Sequence, residues 1–102
     1  MKKLVRDKIP EIIVSEGREC EYFVASEEEY FKSLLDKILE ESIEVSESKT
    51  DIEFKEEIAD LYEVLDAFIK YKNFSKDEIL EIQKAKREKK GGFEKKIILT
   101  KY

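Results

Sequence analysis

Two acidic pairs, Glu41-x-x-Glu44 and Glu57-x-x-Asp60, are the residues of this 102-residue chain best suited to chemistry. At three-residue spacing, the members of a pair lie on one side of a helix and repel each other. An ionised carboxylate buried in an apolar seam is costly unless it is paired. Two such pairs brought together raise their own pKa values or push their helices apart. A divalent cation reverses the sign of that interaction. The chain has no His and a single Cys, Cys20, so the ligands of a structural zinc site are missing. A hard, oxygen-binding ion such as Mg²⁺ fits the donors that remain. The four acids therefore read as a metal cradle. The competing reading is a solvated acidic face, which is common in a Glu-rich chain.

Those acids need helices to position them. Ser26-x-x-Glu29, Thr50-x-x-Glu53 and Ser75-x-x-Glu78 each read as a capping box ahead of an amphipathic run. They place helices near 27–47, 51–72 and 76–90, with Gly91-Gly92 ending the last. A shorter helix is expected near 8–16, with Pro10 in its first turn and Gly17 beyond its end. Along 27–47, Phe31, Leu34, Ile38 and Val45 share one arc, and Glu41 falls inside it, roughly 20° from Leu34. Glu44 lies at the arc's edge beside Lys37, and Glu40 on the outer flank. Along 51–72, Phe54, Ile58, Leu61, Leu65 and Ile69 form the apolar stripe, bordered by Glu57 and then Asp60. A short connection favours antiparallel packing, which makes the two acidic pairs face each other. Glu21–Ala25 and Phe93–Leu99 carry aromatic and β-branched residues outside the helices and read as short paired strands. The expected fold is mainly α: an antiparallel bundle of about four helices, with a small two-stranded β ribbon formed by the segment near 21–25 and the C-terminus.

Charged residues make up 44% of the chain and apolar ones 41%, too apolar for plain disorder and suited to amphipathic helices. Residues 1–102 read as one domain with a small core that partners help to cover. No run approaches the roughly 18 apolar residues of a membrane span. The opening residues lack the apolar segment and cleavage site of a signal peptide, and Cys20 has no internal partner, so cytoplasm is expected. From Glu27 to Asp66 there are 15 acids and 4 bases; from Lys70 to Tyr102 there are 11 bases and 5 acids. This polarity reads either as solvated faces of opposite sign or as halves that meet across an anion and its cations.

The pattern Lys37-x-x-Glu40-Glu41-x-x-Glu44, followed by Glu57-Ile58-Ala59-Asp60-Leu61, resembles the metal-binding signature of the all-α nucleoside triphosphate pyrophosphohydrolases. That superfamily contains the MazG-like enzymes. The opening Lys3-Leu4-Val5-Arg6-Asp7-Lys8-Ile9-Pro10 and the closing Lys90-Gly91-Gly92-Phe93-Glu94 look like its phosphoribosyl-ATP pyrophosphohydrolase-like subgroup. The resemblance implies cleavage of a nucleotide between its α and β phosphates, giving a monophosphate and pyrophosphate, with Mg²⁺ or Mn²⁺ as its substitute. It implies Glu41, Glu44, Glu57 and Asp60 as ligands, and dimers or tetramers with sites near subunit contacts. The chain reads Leu61-Tyr62-Glu63 where the histidine-pathway enzymes are expected to carry a histidine, so a house-cleaning role on non-standard or surplus nucleotides fits better.

Within that reading, Glu40 or Glu44 orients or deprotonates the attacking water. Lys37, Arg6, Lys8, Lys86 and Lys90 are candidates for the phosphates, each set against a plain surface charge. Phe93 reads as a strand residue over the core, and Tyr22, Tyr30 and Tyr62 as core or interface. The expected partners are a nucleotide and further copies of the chain, with neither nucleic acid nor membrane. Two alternatives stand beside the enzyme: a non-enzymatic helical oligomerisation module, and a nucleotide-binding sensor with little turnover.

Overall fold

The computed structural model describes residues 2–102, which form four helices and, among the described residues, no strand: α1 (Ile9–Ser15), α2 (Glu27–Glu47), α3 (Asp51–Tyr71) and α4 (Lys76–Lys90). Local chemistry sets the ends. The Ser26, Thr50 and Ser75 hydroxyls accept from the backbone N–H of Glu29, Glu53 and Glu78, each at 3.2 Å. Each bond satisfies one of the donors that the first turn of a helix leaves without a partner. Gly17 and Gly91, at φ 79° and 86°, follow α1 and α4 in the left-handed region that glycine enters without strain.

Helices α2 and α3 pack antiparallel across the connection Ser48-Lys49-Thr50, and this hairpin is the body of the protein. At its far end Tyr30 meets Tyr71 edge-on at 5.4 Å, Phe31 stacks on Tyr71 at 5.8 Å, and Phe68 lies 6.1 Å from Phe31. Midway, Leu34 is sealed at 1% exposure. Near the connection the seam becomes acidic. Phe54, Ile58 and Leu65 of the α3 stripe each remain more than a third exposed, so one partner helix covers only part of the stripe.

Two expectations are corrected. The four-helix bundle is realised as a two-helix hairpin; neither α1 nor α4 packs along another helix to a comparable extent. The second half of α4 (Lys84, Lys86, Arg87, Lys89, Lys90) is basic and offers little apolar surface to bury against the hairpin. The recorded tie from α4 to the hairpin is Lys76 to Asp66, 3.1 Å, at the helix start. The β ribbon is absent as well. Lys96, at φ 58°, donates its backbone N–H to the Phe93 carbonyl at 3.1 Å, so the segment turns where a strand would run on. Phe93 is 97% exposed and does not pack over the core. Tyr22, Phe23 and Val24 are also exposed, as are Ile97, Ile98 and Leu99. No described helix is long and apolar enough to cross a membrane.

Candidate metal centre

The centre begins with the phase of α2. Leu34 and Glu41 are seven residues apart, two turns on the same arc, and they are the buried pair of this helix. The packing that hides Leu34 also hides Glu41, which is 5% exposed. Glu44 follows one turn later at the seam, and Glu57 approaches from α3. Carboxylate oxygens of Glu41, Glu44 and Glu57 all lie within 4.8 Å of one another. Glu41 Oε2 and Glu57 Oε2 are closed off from water and have no hydrogen-bond partner.

The electrostatics follow from this crowding. Burial pushes the Glu41 carboxyl above its ordinary 4.5, and the charge of Glu44 pushes it further, while Lys37 opposes both. Glu44 is also raised, first because a proton on it is shared with the Glu57 carboxylate and then by its own burial. Lys37 Nζ lies 3.2 Å from Glu40 Oε2 and 3.4 Å from Glu41 Oε1. It holds one oxygen of Glu41 and leaves the other without a partner.

Three anions, two orphaned buried oxygens and one lysine make a donor set short of positive charge. Carboxylate oxygens are the ligands that Mg²⁺, Mn²⁺ and Ca²⁺ take. The residues therefore fit a hard divalent cation, held by Glu41, Glu44 and Glu57. The pocket beside them, about 160 Å³, is lined by Glu44, Glu47, Ser48, Glu53 and Glu57.

The remaining sequence-derived candidates are placed differently. Asp60 stands outside the three-carboxylate group: its Oδ1 accepts from Arg6 Nη2 at 2.7 Å. Glu40 lies at the rim, between Lys37 and Lys3, with the Lys3 Nζ at 3.7 Å. Lys37 is engaged with carboxylates. Arg6 is exposed beside Asp60 and 4.0 Å from Glu63. Lys8 precedes α1 and is exposed; Lys86 and Lys90 are exposed on α4, and none of the three is ion-paired to the hairpin. Sequence reasoning missed Lys3, Glu63, Glu47 and Glu53. Helical spacing held a signal for the last two, since Glu47 continues the Glu44 row by three residues and Glu53 precedes Glu57 by four. Compared with protein-family models, with curated proteins and with solved structures, the chain matches none.

Proposed function

We propose that this protein is a Mg²⁺-dependent nucleotide pyrophosphohydrolase. It cleaves a nucleoside triphosphate between the α and β phosphates, giving the monophosphate and pyrophosphate, and Mn²⁺ serves in place of Mg²⁺. The observation that carries the reading is the carboxylate group of Glu41, Glu44 and Glu57, in which Glu41 and Glu57 each have a water-excluded oxygen without a hydrogen-bond partner. A site so short of cations is costly unless its ligand supplies them. The likeness of its motifs to the MazG-like signature points to the reaction, and a house-cleaning role on surplus or non-standard nucleotides follows from the same likeness.

When bound, a divalent cation would supply Lewis-acid charge neutralisation for the polyphosphate and for the leaving pyrophosphate. The chain's own residues do the rest. Glu41, Glu44 and Glu57 hold that ion, and Lys37 fixes the Glu41 carboxylate between the cluster and its own ammonium. Asp60 is the reserve ligand at the edge. Glu40 and Glu44 are the candidates for orienting and deprotonating the attacking water. Among the phosphate-binding candidates Lys37 stands at the centre itself and Arg6 beside it on Asp60, whereas Lys8, Lys86 and Lys90 reach a centre only through movement or a neighbouring copy.

The second reading, an oligomerisation module, is favoured by the exposed apolar residues of α3 and the tail. Both readings imply a homodimer or homotetramer, and cytoplasm is the proposed location. A sensor with the same site and slow turnover differs only in its kinetics.

A pyrophosphate-release screen over canonical, deoxy and oxidised nucleotides, with and without Mg²⁺, tests the proposal. Activity that needs Mg²⁺ and falls at least 100-fold in Glu41→Gln supports it, by analogy with the loss of a group that stabilises charge in the transition state. Full activity in a folded Glu41→Gln variant contradicts the cradle. The absence of turnover despite saturable cation and nucleotide binding selects the sensor.

A further inference from the structure

Residues 2–6 precede α1 without regular secondary structure, yet two of their side chains reach the acidic centre from opposite sides. Lys3 Nζ lies 3.7 Å from Glu40 Oε1 on α2, and Arg6 Nη2 lies 2.7 Å from Asp60 Oδ1 on α3. The second Arg6 nitrogen, Nη1, is 4.0 Å from Glu63, one turn beyond Asp60. One short segment thus bridges the two helices that carry the centre. It occupies the two acids, Glu40 and Asp60, that lie outside the three-carboxylate group. Arg6 and Asp60 are 54 positions apart, so this is a tertiary contact between distant parts of the chain.

The strength of the contacts matters. Both arm residues are more than half exposed, and exposed ion pairs contribute only about 0.2–1 kcal/mol each. The core pair Lys37–Glu41 is different, with its side chains 16% and 7% exposed and both anchored within α2. The centre therefore has one fixed cation and two that hang on a segment free of helix or strand.

We propose that this N-terminal arm is an exchangeable counter-ion, with Arg6 the principal positioning residue. Arg6 holds Asp60 away from the carboxylate group, Lys3 holds Glu40, and a divalent cation competes with both. Cation loading and release of the arm are then one linked equilibrium. Release frees Asp60 to join the ligands and frees the Arg6 guanidinium for a phosphate, whose oxygens it matches in fork geometry. The inference rests on the metal-centre reading above and adds to it a competitor built into the chain.

Mn²⁺ binding to the full chain, followed by the electron paramagnetic resonance signal of the free ion, separates the two. Arg6→Gln is expected to bind Mn²⁺ about 2- to 5-fold more tightly than wild type, the equivalent of one surface pair. Lys3→Gln/Arg6→Gln should gain further, Arg6→Lys should stay near wild type, and Lys95→Gln, which removes the same charge from the distant tail, should change nothing. In wild type, Mg²⁺ should also speed trypsin cleavage after Arg6. Arm variants that bind no more tightly than wild type, with Glu41→Gln abolishing binding, overturn the arm and leave the centre standing. Saturable binding in none of the proteins overturns both. Binding in the arm variants but not in wild type supports a tight form of the same competition.

Discussion

Glu41 shows how a single residue registers its surroundings. Its carboxyl and that of Glu44 hold protons more tightly than in the unfolded chain: burial and then the charge of Glu44 raise Glu41 above 4.5, and a hydrogen bond with Glu57 and then burial raise Glu44. Between that value and the raised ones, the folded state binds more protons than the unfolded state. Its stability therefore falls as pH rises through that window. Thermal melts in a chelator should show Tm declining from about pH 4.5 towards neutrality, and Glu41→Gln should flatten the decline. Saturating Mg²⁺ should cancel it at neutral pH, since an ion that binds only the folded state adds to its stability. The burial of Glu41 was legible in the sequence because α2 begins at a local cap, and seven residues from Leu34 return a side chain to the same arc. The withdrawal of Asp60 was not legible. Its cause is Arg6, far away in the chain, and no helical period encodes that contact.

At the scale of elements, the caps and the hairpin carry different consequences. Thr50 starts the helix that brings Glu57 to the centre, whereas Ser75 starts a helix that packs on little. Thr50→Ala and Ser75→Ala should each cost about 1 kcal/mol in local helix stability. Only Thr50→Ala should lower the Tm of the hairpin and weaken cation affinity, and Ser75→Ala should appear as fraying of α4 in amide hydrogen exchange. Helix positions were legible almost to the residue because caps and breakers act over three or four positions. The β ribbon was misread for the opposite reason. Phe93–Leu99 has the composition of a strand, but a strand needs a partner, and pairing is decided by what the rest of the chain brings alongside. Lys96 in the left-handed region instead folds the segment back on itself.

As a whole molecule the chain is open. Its surface is 9710 Å² and its radius of gyration 17.7 Å. A compact monomer of 12.1 kDa should expose roughly 6,000 Å² and have a radius of about 13 Å. The difference exceeds what a standard protein–protein interface removes from one partner, about 800 Å². Phe54, Ile58 and Leu65 present the apolar atoms such an interface wants. Sedimentation at micromolar concentration should therefore give a dimer or tetramer, and Phe54→Asp or Ile58→Asp should shift it towards monomer with cation affinity falling in parallel. A sharp monomer peak for the wild-type chain contradicts this expectation.

The loose attachment of α4 has one further consequence. The hairpin carries most of the acids, while the second half of α4 and the tail carry a surplus of lysine and arginine, and the Lys76–Asp66 pair ties the two regions at the start of α4. The molecule is therefore a long electric dipole with a net charge of only −5. It should be retained at neutral pH and low ionic strength by both anion- and cation-exchange resins, each gripping the opposite pole.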